Sequence, residues 1–136
     1  MSMNVRQRWV SLVGRILLSL IFIISGISKL LDPAGTIAYI ESAHLPLPQV
    51  AYVVALFVEL GLGIALLVGF HAQLAAAGIA IFTFITALMF HSNMADPVQV
   101  VMFLKNTTII GGLLVVIAFG PGGYSVDGGR RLSALE

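Results

Sequence analysis

Four long apolar stretches, separated by short polar segments, make up most of this 136-residue sequence. They cover about residues 9–31, 50–69, 74–91 and 98–119. A helix needs roughly 20 apolar residues to cross the hydrocarbon core of a bilayer, and these stretches are close to that length. With 59% hydrophobic and only 10% charged residues, the composition excludes a soluble globule. The sequence therefore predicts an all-α membrane protein, a single transmembrane domain (1–136) folded as a four-helix bundle in the lipid bilayer.

Basic residues are distributed unevenly around the predicted spans. The first and last spans are flanked by four arginines, Arg6, Arg8, Arg130 and Arg131. The connecting segments 32–49 and 91–96 contain no arginine or lysine. Because basic flanks stay on the cytoplasmic side, both termini are predicted to be cytoplasmic. The first span is too long for a secretory signal and lacks its cleavage pattern, so we expect it to be retained.

Three ionisable residues, Arg15, Glu59 and Lys105, lie deep within the apolar stretches. A charge at the centre of a bilayer costs about 2.5–3.5 kcal/mol on insertion scales, so each of them needs a partner or a function. At 1.5 Å per residue, Glu59 lies roughly 15 Å below either surface, within reach of either cation. This pattern is typical of an intramembrane site.

Helical spacing extends the candidate site to further polar residues. One face of the first helix combines Arg15, Ser19, Phe22, Gly26 and Lys29. Tyr52 shares a face of the second helix with Glu59, while Asn106 lies about 100° around the fourth helix from Lys105. We expect these faces to meet inside the bundle, with His91 at the outer mouth. The predicted ligand-binding residues are Arg15, Lys29, Tyr52, Glu59, His91, Lys105 and Asn106.

The charge balance of this candidate site is positive, with three cations against one carboxylate unless a lysine is neutral. An excess cation favours an anion, and the candidates are a lipid phosphate, a small oxoanion or the oxygens of a reduced quinone. The structural alternative is an Arg15 to Glu59 bridge that fixes the helix packing and needs no ligand. Lys29, only a turn from the outer surface, could instead extend into the headgroup region.

The sequence excludes cysteine chemistry and does not indicate a metal site or nucleic-acid binding. The sequence has no cysteine, which rules out disulfides, thiol redox steps and thiolate metal ligands. On the predicted topology His71 faces the cytoplasm while His44 and His91 lie near the outer side, so we expect no metal site. Nothing indicates nucleic-acid binding.

A series of short motifs, in this order along the chain, resembles the DoxX family. The matching residues are Gly14 and Arg15; Ser25, Gly26, Ile27, Ser28 and Lys29; Glu59, Leu60 and Gly61; Gly69; Phe103, Leu104, Lys105 and Asn106; and Gly120, Pro121, Gly122, Ser125, Asp127 and Arg130. The resemblance runs from about Val13 to Arg131 and implies a four-helix, multi-pass inner-membrane protein of bacteria. The family name comes from an association with a thiosulfate to quinone oxidoreductase. Other members look like membrane anchors for oxidative-stress or thiol-handling assemblies.

Different classes of function remain open. The first hypothesis is a membrane subunit or anchor of a redox-linked assembly, a context that the resemblance implies. In this hypothesis a quinone binds between the first, second and fourth helices, Lys105 and Arg15 stabilise its negative charge, and Glu59 passes protons. No residue here can hold electrons, so this hypothesis requires a soluble redox partner or another electron donor, and no independent catalytic machinery is visible. The second hypothesis is a scaffold that recruits a soluble partner. A small-solute transporter is the weakest, because four helices without repeats offer little machinery for alternating access. Glycines in the spans suit close packing within the bundle or in a homo-oligomer.

Overall fold

The computed structural model describes the backbone of residues 3–133 and the side chains of residues 3–130. That part of the chain is helical and contains no strand. Four helices are long and apolar enough to cross a membrane: Val5–Leu31, Pro48–Val68, Ala72–Phe90 and Pro97–Phe119. The predicted all-α fold with four membrane helices is therefore confirmed, whereas the cytoplasmic location of both termini stays a prediction. Residues 134–136 and the Arg131 side chain, which entered the sequence predictions, lie outside the described part.

The helices are labelled in chain order. Three spans are continuous helices, α1 (Val5–Leu31), α5 (Ala72–Phe90) and α6 (Pro97–Phe119). The second span is composite and consists of α3 (Pro48–Leu56), a π-helical segment (Phe57–Leu62) and α4 (Gly63–Val68). Two short helices lie outside the spans, α2 (Pro33–Ser42) and α7 (Val126–Ser133). We call the end of the bundle where α1 begins and α6 ends the terminal end, and the end that carries α2 the distal end.

Polar side chains cap the N-termini of α1, α2 and α6. Asn4 and Gln7 form a capping box at the start of α1, each side chain accepting from the other's backbone N–H at 2.9 Å. Asp32 accepts from the Gly35 N–H and begins α2. Asp96 accepts from the Val98 N–H and begins α6. Each cap satisfies a backbone donor that the first turn of a helix leaves free.

The centre of the bundle is packed with small side chains. Its buried apolar core consists of Phe22, Val58, Leu66, Ala72, Ala75, Ala76, Ile79, Ala80, Leu113 and Val116. The four alanines all belong to α5, and small residues let transmembrane helices approach closely. On α1 the buried residues are Arg15, Ser19, Phe22 and Gly26. Spacing alone therefore identified the inward face of α1 correctly.

The fourth span leaves an open seam against the first. Helix α6 packs along α5 but approaches α1 only briefly. The close approach involves Gly112 and Leu18, because a Cβ atom on Gly112 would lie 2.9 Å from Leu18 Cδ2. On either side of this point a cavity opens between α1 and α6, one toward each end of the bundle. We call them the terminal cleft and the distal cavity.

The π-helical segment places Glu59 in the middle of the second span. A π turn accommodates more residues than an α turn, and such segments occur frequently at functional sites. The segment packs against α1 at Gly26, where an added Cβ would lie 2.6 Å from Leu60 Cγ and 3.2 Å from Glu59 Cβ. Glycine at this position therefore allows α1 to approach the backbone that carries Glu59.

The turn between α4 and α5 depends on Gly69. Gly69 has φ +75°, in the left-handed region, and the Phe70 N–H donates to the Ala65 carbonyl at 2.9 Å in a Schellman-type ending. A Cβ atom at Gly69 would lie 2.3 Å from Ser125 Cβ. The Gly69 carbonyl also accepts from the Asp127 N–H at 2.9 Å. Both conformation and space therefore require glycine here.

We expect Gly69→Ala to lower the free energy of unfolding by at least about 1 kcal/mol, since a non-glycine residue in the left-handed region costs roughly 1–2 kcal/mol. The added methyl group would also displace Ser125. The thermal midpoint of the purified protein in detergent measures the change. Gly111→Ala is the matched control, because nothing lies within 4 Å of its added Cβ. Equal midpoints for the two variants would contradict this explanation of the turn.

Candidate functional site

The buried carboxylate of Glu59 pairs with Lys29. Glu59 is 6% exposed. Its Oε2 lies 2.9 Å from Lys29 Nζ, and its Oε1 accepts a hydrogen bond from the same nitrogen at 3.0 Å. Ser25 Oγ lies 2.7 Å from Lys29 Nζ and 3.2 Å from Glu59 Oε1, completing a three-residue cluster. The pair neutralises both charges inside the bundle, which is the condition for keeping them there.

Lys29 therefore turns inward instead of extending to the headgroup region. Its side chain is 24% exposed. Tyr52 Oη donates to the Lys29 backbone carbonyl at 3.1 Å, which ties the second span to the end of α1. The predicted face shared by Tyr52 and Glu59 thus meets α1, but Tyr52 supports the position of Lys29 and does not line the distal cavity.

The distal cavity brings five of the seven predicted site residues together. Its volume is about 420 Å³, within the range of about 300–1,000 Å³ that small-molecule sites occupy. The predicted residues that line it are Lys29, Glu59, His91, Lys105 and Asn106. Much of the remaining lining is apolar or aromatic, with Tyr39 stacked on Phe90 at a centroid separation of 5.2 Å. The cavity thus combines an apolar wall with a few polar groups, the usual composition of a ligand site.

Sequence reasoning missed the contribution of α2 and α5 to this cavity. Thr36, Tyr39 and Ile40 of α2 cover its distal side, and Thr83 and Thr86 of α5 line its inner wall. The signal for α2 was present, since Asp32 and Pro33 form a helix start. Nothing in the spacing of α5 distinguished Thr83 from an ordinary polar residue in a membrane helix.

Lys105 is the cavity cation without a carboxylate partner in the described part of the chain. The contact recorded for its Nζ is Met102 Sδ at 3.4 Å, a weak acceptor, and the residue is exposed. Because Glu59 is already paired with Lys29, the formal charge of these three side chains sums to +1. The distal cavity therefore has the excess positive charge predicted for it, and the excess is on Lys105.

Arg15 does not belong to this site, which corrects the expected convergence of all the membrane charges. It is 2% exposed, and its three nitrogens donate to backbone carbonyls of Leu67 (Nε, 3.0 Å), Tyr124 (Nη2, 2.7 Å) and Pro121 (Nη1). The salt bridge between Arg15 and Glu59, the structural alternative suggested by the sequence, does not form, because the Glu59 carboxylate pairs with Lys29 instead. Arg15 lies toward the terminal end of α1, where the end of α4 and the segment after α6 leave backbone carbonyls free.

Asp127 is part of the last sequence motif, and in the structure its side chain links the segment after α6 to the start of α5 at the terminal end. Its Oδ1 accepts from the His71 N–H at 3.0 Å and its Oδ2 from the Ala72 N–H at 2.9 Å, so it caps α5 from a distant part of the chain. Partial burial raises the pKa of Asp127, but these N–H groups and the nearby charges of His71 and Arg130 outweigh it. The pKa therefore lies below its ordinary value of 3.8. The carboxylate is ionised at neutral pH, as a helix N-terminus favours.

His44, His71 and His91 do not form a cluster. Among residues 3–130 no group of three histidine, aspartate or glutamate side chains is arranged to hold a metal ion. His91 ends α5, and its Nδ1 lies 2.8 Å from Gln99 Oε1 of α6. This contact fixes the imidazole at the mouth of the distal cavity.

Removing the cation from the buried pair should destabilise the protein. We expect Lys29→Met to lower the free energy of unfolding by about 3–5 kcal/mol, because it leaves the Glu59 carboxylate buried without a partner. Adding Glu59→Gln to that variant should restore most of the loss. Thermal midpoints of the single and double variants measure the coupling. Additive losses in the double variant would show that the two side chains do not interact.

The Asp127 cap should make the stability of the protein depend on pH. Because the folded pKa is depressed, the contribution is present above the ordinary value of 3.8 and is lost as pH falls through the lower folded pKa. We expect the Asp127→Asn variant to have a lower thermal midpoint than the wild type at neutral pH. As the pH falls, the midpoint of the variant should decrease less than that of the wild type. Midpoints measured from neutral pH to about pH 3 would test this, and parallel curves for the variant and the wild type would contradict it.

Comparison with known proteins identifies the family. The family model for DoxX matches residues 10–92. Inner membrane protein YqjF of Escherichia coli (strain K12) is 44% identical over 116 residues, covering 85% of this chain and 88% of the relative. Inner membrane protein YphA of the same organism is 33% identical over 121 residues, covering 85% and 86%. No solved structure matches the chain. With four apolar membrane helices and these relatives, the chain is a multi-pass inner-membrane protein, and it belongs to the DoxX family.

Proposed function

We propose that the distal cavity binds a quinone that enters from the bilayer, and that the chain acts as a membrane subunit or anchor of a redox-linked assembly. The observation that carries this proposal is the single uncompensated cation, Lys105, in a cavity whose wall is largely apolar and whose other charges, Lys29 and Glu59, neutralise each other. The seam between α1 and α6 provides a lateral route from the lipid. A hydrophobic ring with polar oxygens matches this lining better than a fully hydrated anion does.

The residues of the cavity fit such a ring. Phe82, Met89 and Phe90 supply apolar and aromatic surface for its faces. Lys105 and Asn106 supply N–H donors of the kind that hold carbonyl oxygens. A bound quinone would supply two-electron chemistry, which no side chain of this protein can supply, so a partner protein or a substrate donates the electrons.

In this proposal the charged side chains have separate tasks. The Lys105 ammonium group stabilises negative charge on a ring oxygen, where a low-dielectric site makes the interaction strong. Glu59, in contact with Ser25 Oγ and Lys29 Nζ, rests as a carboxylate and takes up a proton only in transit, passing it to the reduced ring. Arg15 takes no part, because its nitrogens are engaged by carbonyls at the terminal end.

A scaffold function is the second candidate, and one observation favours it. Glu59, Lys29 and Arg15 all find partners within the protein, so these three charges need no ligand. In either case the soluble partner is proposed to dock at the terminal end, for which the arginine-rich flanks predict a cytoplasmic location. A homo-oligomer through the exposed face of α6 is compatible with both functions.

Short-chain menaquinone and ubiquinone analogues should raise the thermal midpoint of the purified protein. At about 100 times the dissociation constant a ligand stabilises by about 2.7 kcal/mol. We expect Lys105→Met to abolish the shift and Lys105→Arg to retain part of it. Thr107→Val is the matched control, because Thr107 is exposed on the same helix and lines neither cavity. If neither analogue shifts the wild-type midpoint up to its solubility limit, the quinone proposal fails and the scaffold remains.

A further inference from the structure

The terminal cleft is the larger of the two cavities on the α1/α6 seam. Its volume is about 980 Å³. It begins at the Leu18 to Gly112 contact and extends to the terminal end, between the first half of α1 and the second half of α6. The distal cavity, which is proposed to bind quinone, lies on the other side of that contact and shares no part of the terminal cleft.

The lining of the terminal cleft changes along its length. Polar side chains lie near the terminal end, where Arg6, Gln7 and Ser11 are contributed by the first two turns of α1. Val10 and Phe119 add apolar surface near that end, and deeper in the bundle the walls are apolar, with Leu18 of α1 and Val115 and Val116 of α6. An amphiphile with a polar head and a long hydrocarbon chain has the same distribution of polarity.

The polar end of the cleft is positively charged. Arg6 is exposed and forms no ion pair among the described residues. The first turn of α1 contains no acidic residue, so nothing local compensates it. Arg15 adds a second positive charge to the wall, although its nitrogens donate to carbonyls and are not available to a ligand. This charge is complementary to an anionic head group.

We propose that the terminal cleft binds one anionic phospholipid. Its phosphate lies at Arg6, and one acyl chain follows the groove between Val10 and Phe119. Basic pockets between transmembrane helices on the cytoplasmic side bind anionic lipid head groups for the same electrostatic reason. The apolar wall explains why a lipid is favoured over free phosphate, which has no hydrocarbon to bury there.

Native mass spectrometry of the purified full chain, titrated with phosphatidylglycerol or phosphatidylcholine, tests this proposal. We expect one phosphatidylglycerol to be retained preferentially. Arg6→Gln should weaken its binding about fivefold, the equivalent of about 1 kcal/mol for one basic residue near the head group. Arg8→Gln should leave the affinity unchanged, because Arg8 packs on Gly123 and does not line the cleft.

A second pair of variants tests the cleft without altering charge. Gly14 lines the cleft and has nothing within 4 Å of an added Cβ, so Gly14→Leu should fill the cleft and prevent retention of the lipid. Gly111→Leu is the control, since Gly111 is equally unobstructed but lines neither cavity.

Four results would overturn the proposal. The first is equal retention of the two lipids, and the second is an equal loss of lipid affinity in the Arg6→Gln and Arg8→Gln variants. The third is displacement of the lipid by inorganic phosphate. The fourth is a dimer of the wild-type chain that the Gly14→Leu substitution dissociates. The last would assign the cleft to a second copy of the chain. None of these results affects the quinone proposal, which depends on Lys105.

Discussion

The ion pair between Lys29 and Glu59 is the interaction on which the arrangement of the bundle depends. A lone carboxylate at this depth would cost several kcal/mol, so the second span can hold Glu59 only where a cation meets it. Three local features bring the cation there: the π-helical segment that positions Glu59, the close approach at Gly26, and the Tyr52 hydrogen bond to the backbone of Lys29. The pair thereby fixes α1 against the second span and forms one wall of the distal cavity.

The charged side chains of the protein are divided between the two ends of the bundle. At the terminal end Arg15 and Asp127 bind backbone groups of turns and helix ends, which closes that end and joins the segment after α6 to the α4–α5 turn. At the distal end Lys29 and Glu59 neutralise each other, and Lys105 faces the cavity without a carboxylate. Residues of the same charge therefore have different roles: each nitrogen of the Arg15 guanidinium donates to a backbone carbonyl, whereas Lys105 has only a thioether contact. This difference is why the proposed function rests on Lys105.

Hydropathy was sufficient to predict the fold, because the bilayer sets both the length and the composition of a spanning helix. Helical spacing identified the inward face of α1 and five residues of the distal cavity, since polar side chains avoid lipid. It did not identify Lys29 as the partner of Glu59, because depth favoured Arg15 or Lys105, and Lys29 lies only a turn from the outer surface. The choice depends on the free carbonyls of Leu67, Pro121 and Tyr124, which only the folded chain brings to Arg15. The π segment and the Asp127 cap likewise arise from contacts between distant parts of the chain.

The most direct test of this account is a solid-state NMR measurement of the dipolar coupling between lysine Nζ and glutamate side-chain carboxyl carbons in labelled protein reconstituted in lipid. Lys29 and Lys105 are the only lysines in the sequence, so Lys105→Arg leaves a single Nζ signal, that of Lys29. The structure predicts a strong coupling to Glu59, because both carboxylate oxygens lie within 3.0 Å of that nitrogen. A coupling that is absent, or one that joins Glu59 to the Arg15 guanidinium instead, would contradict the account.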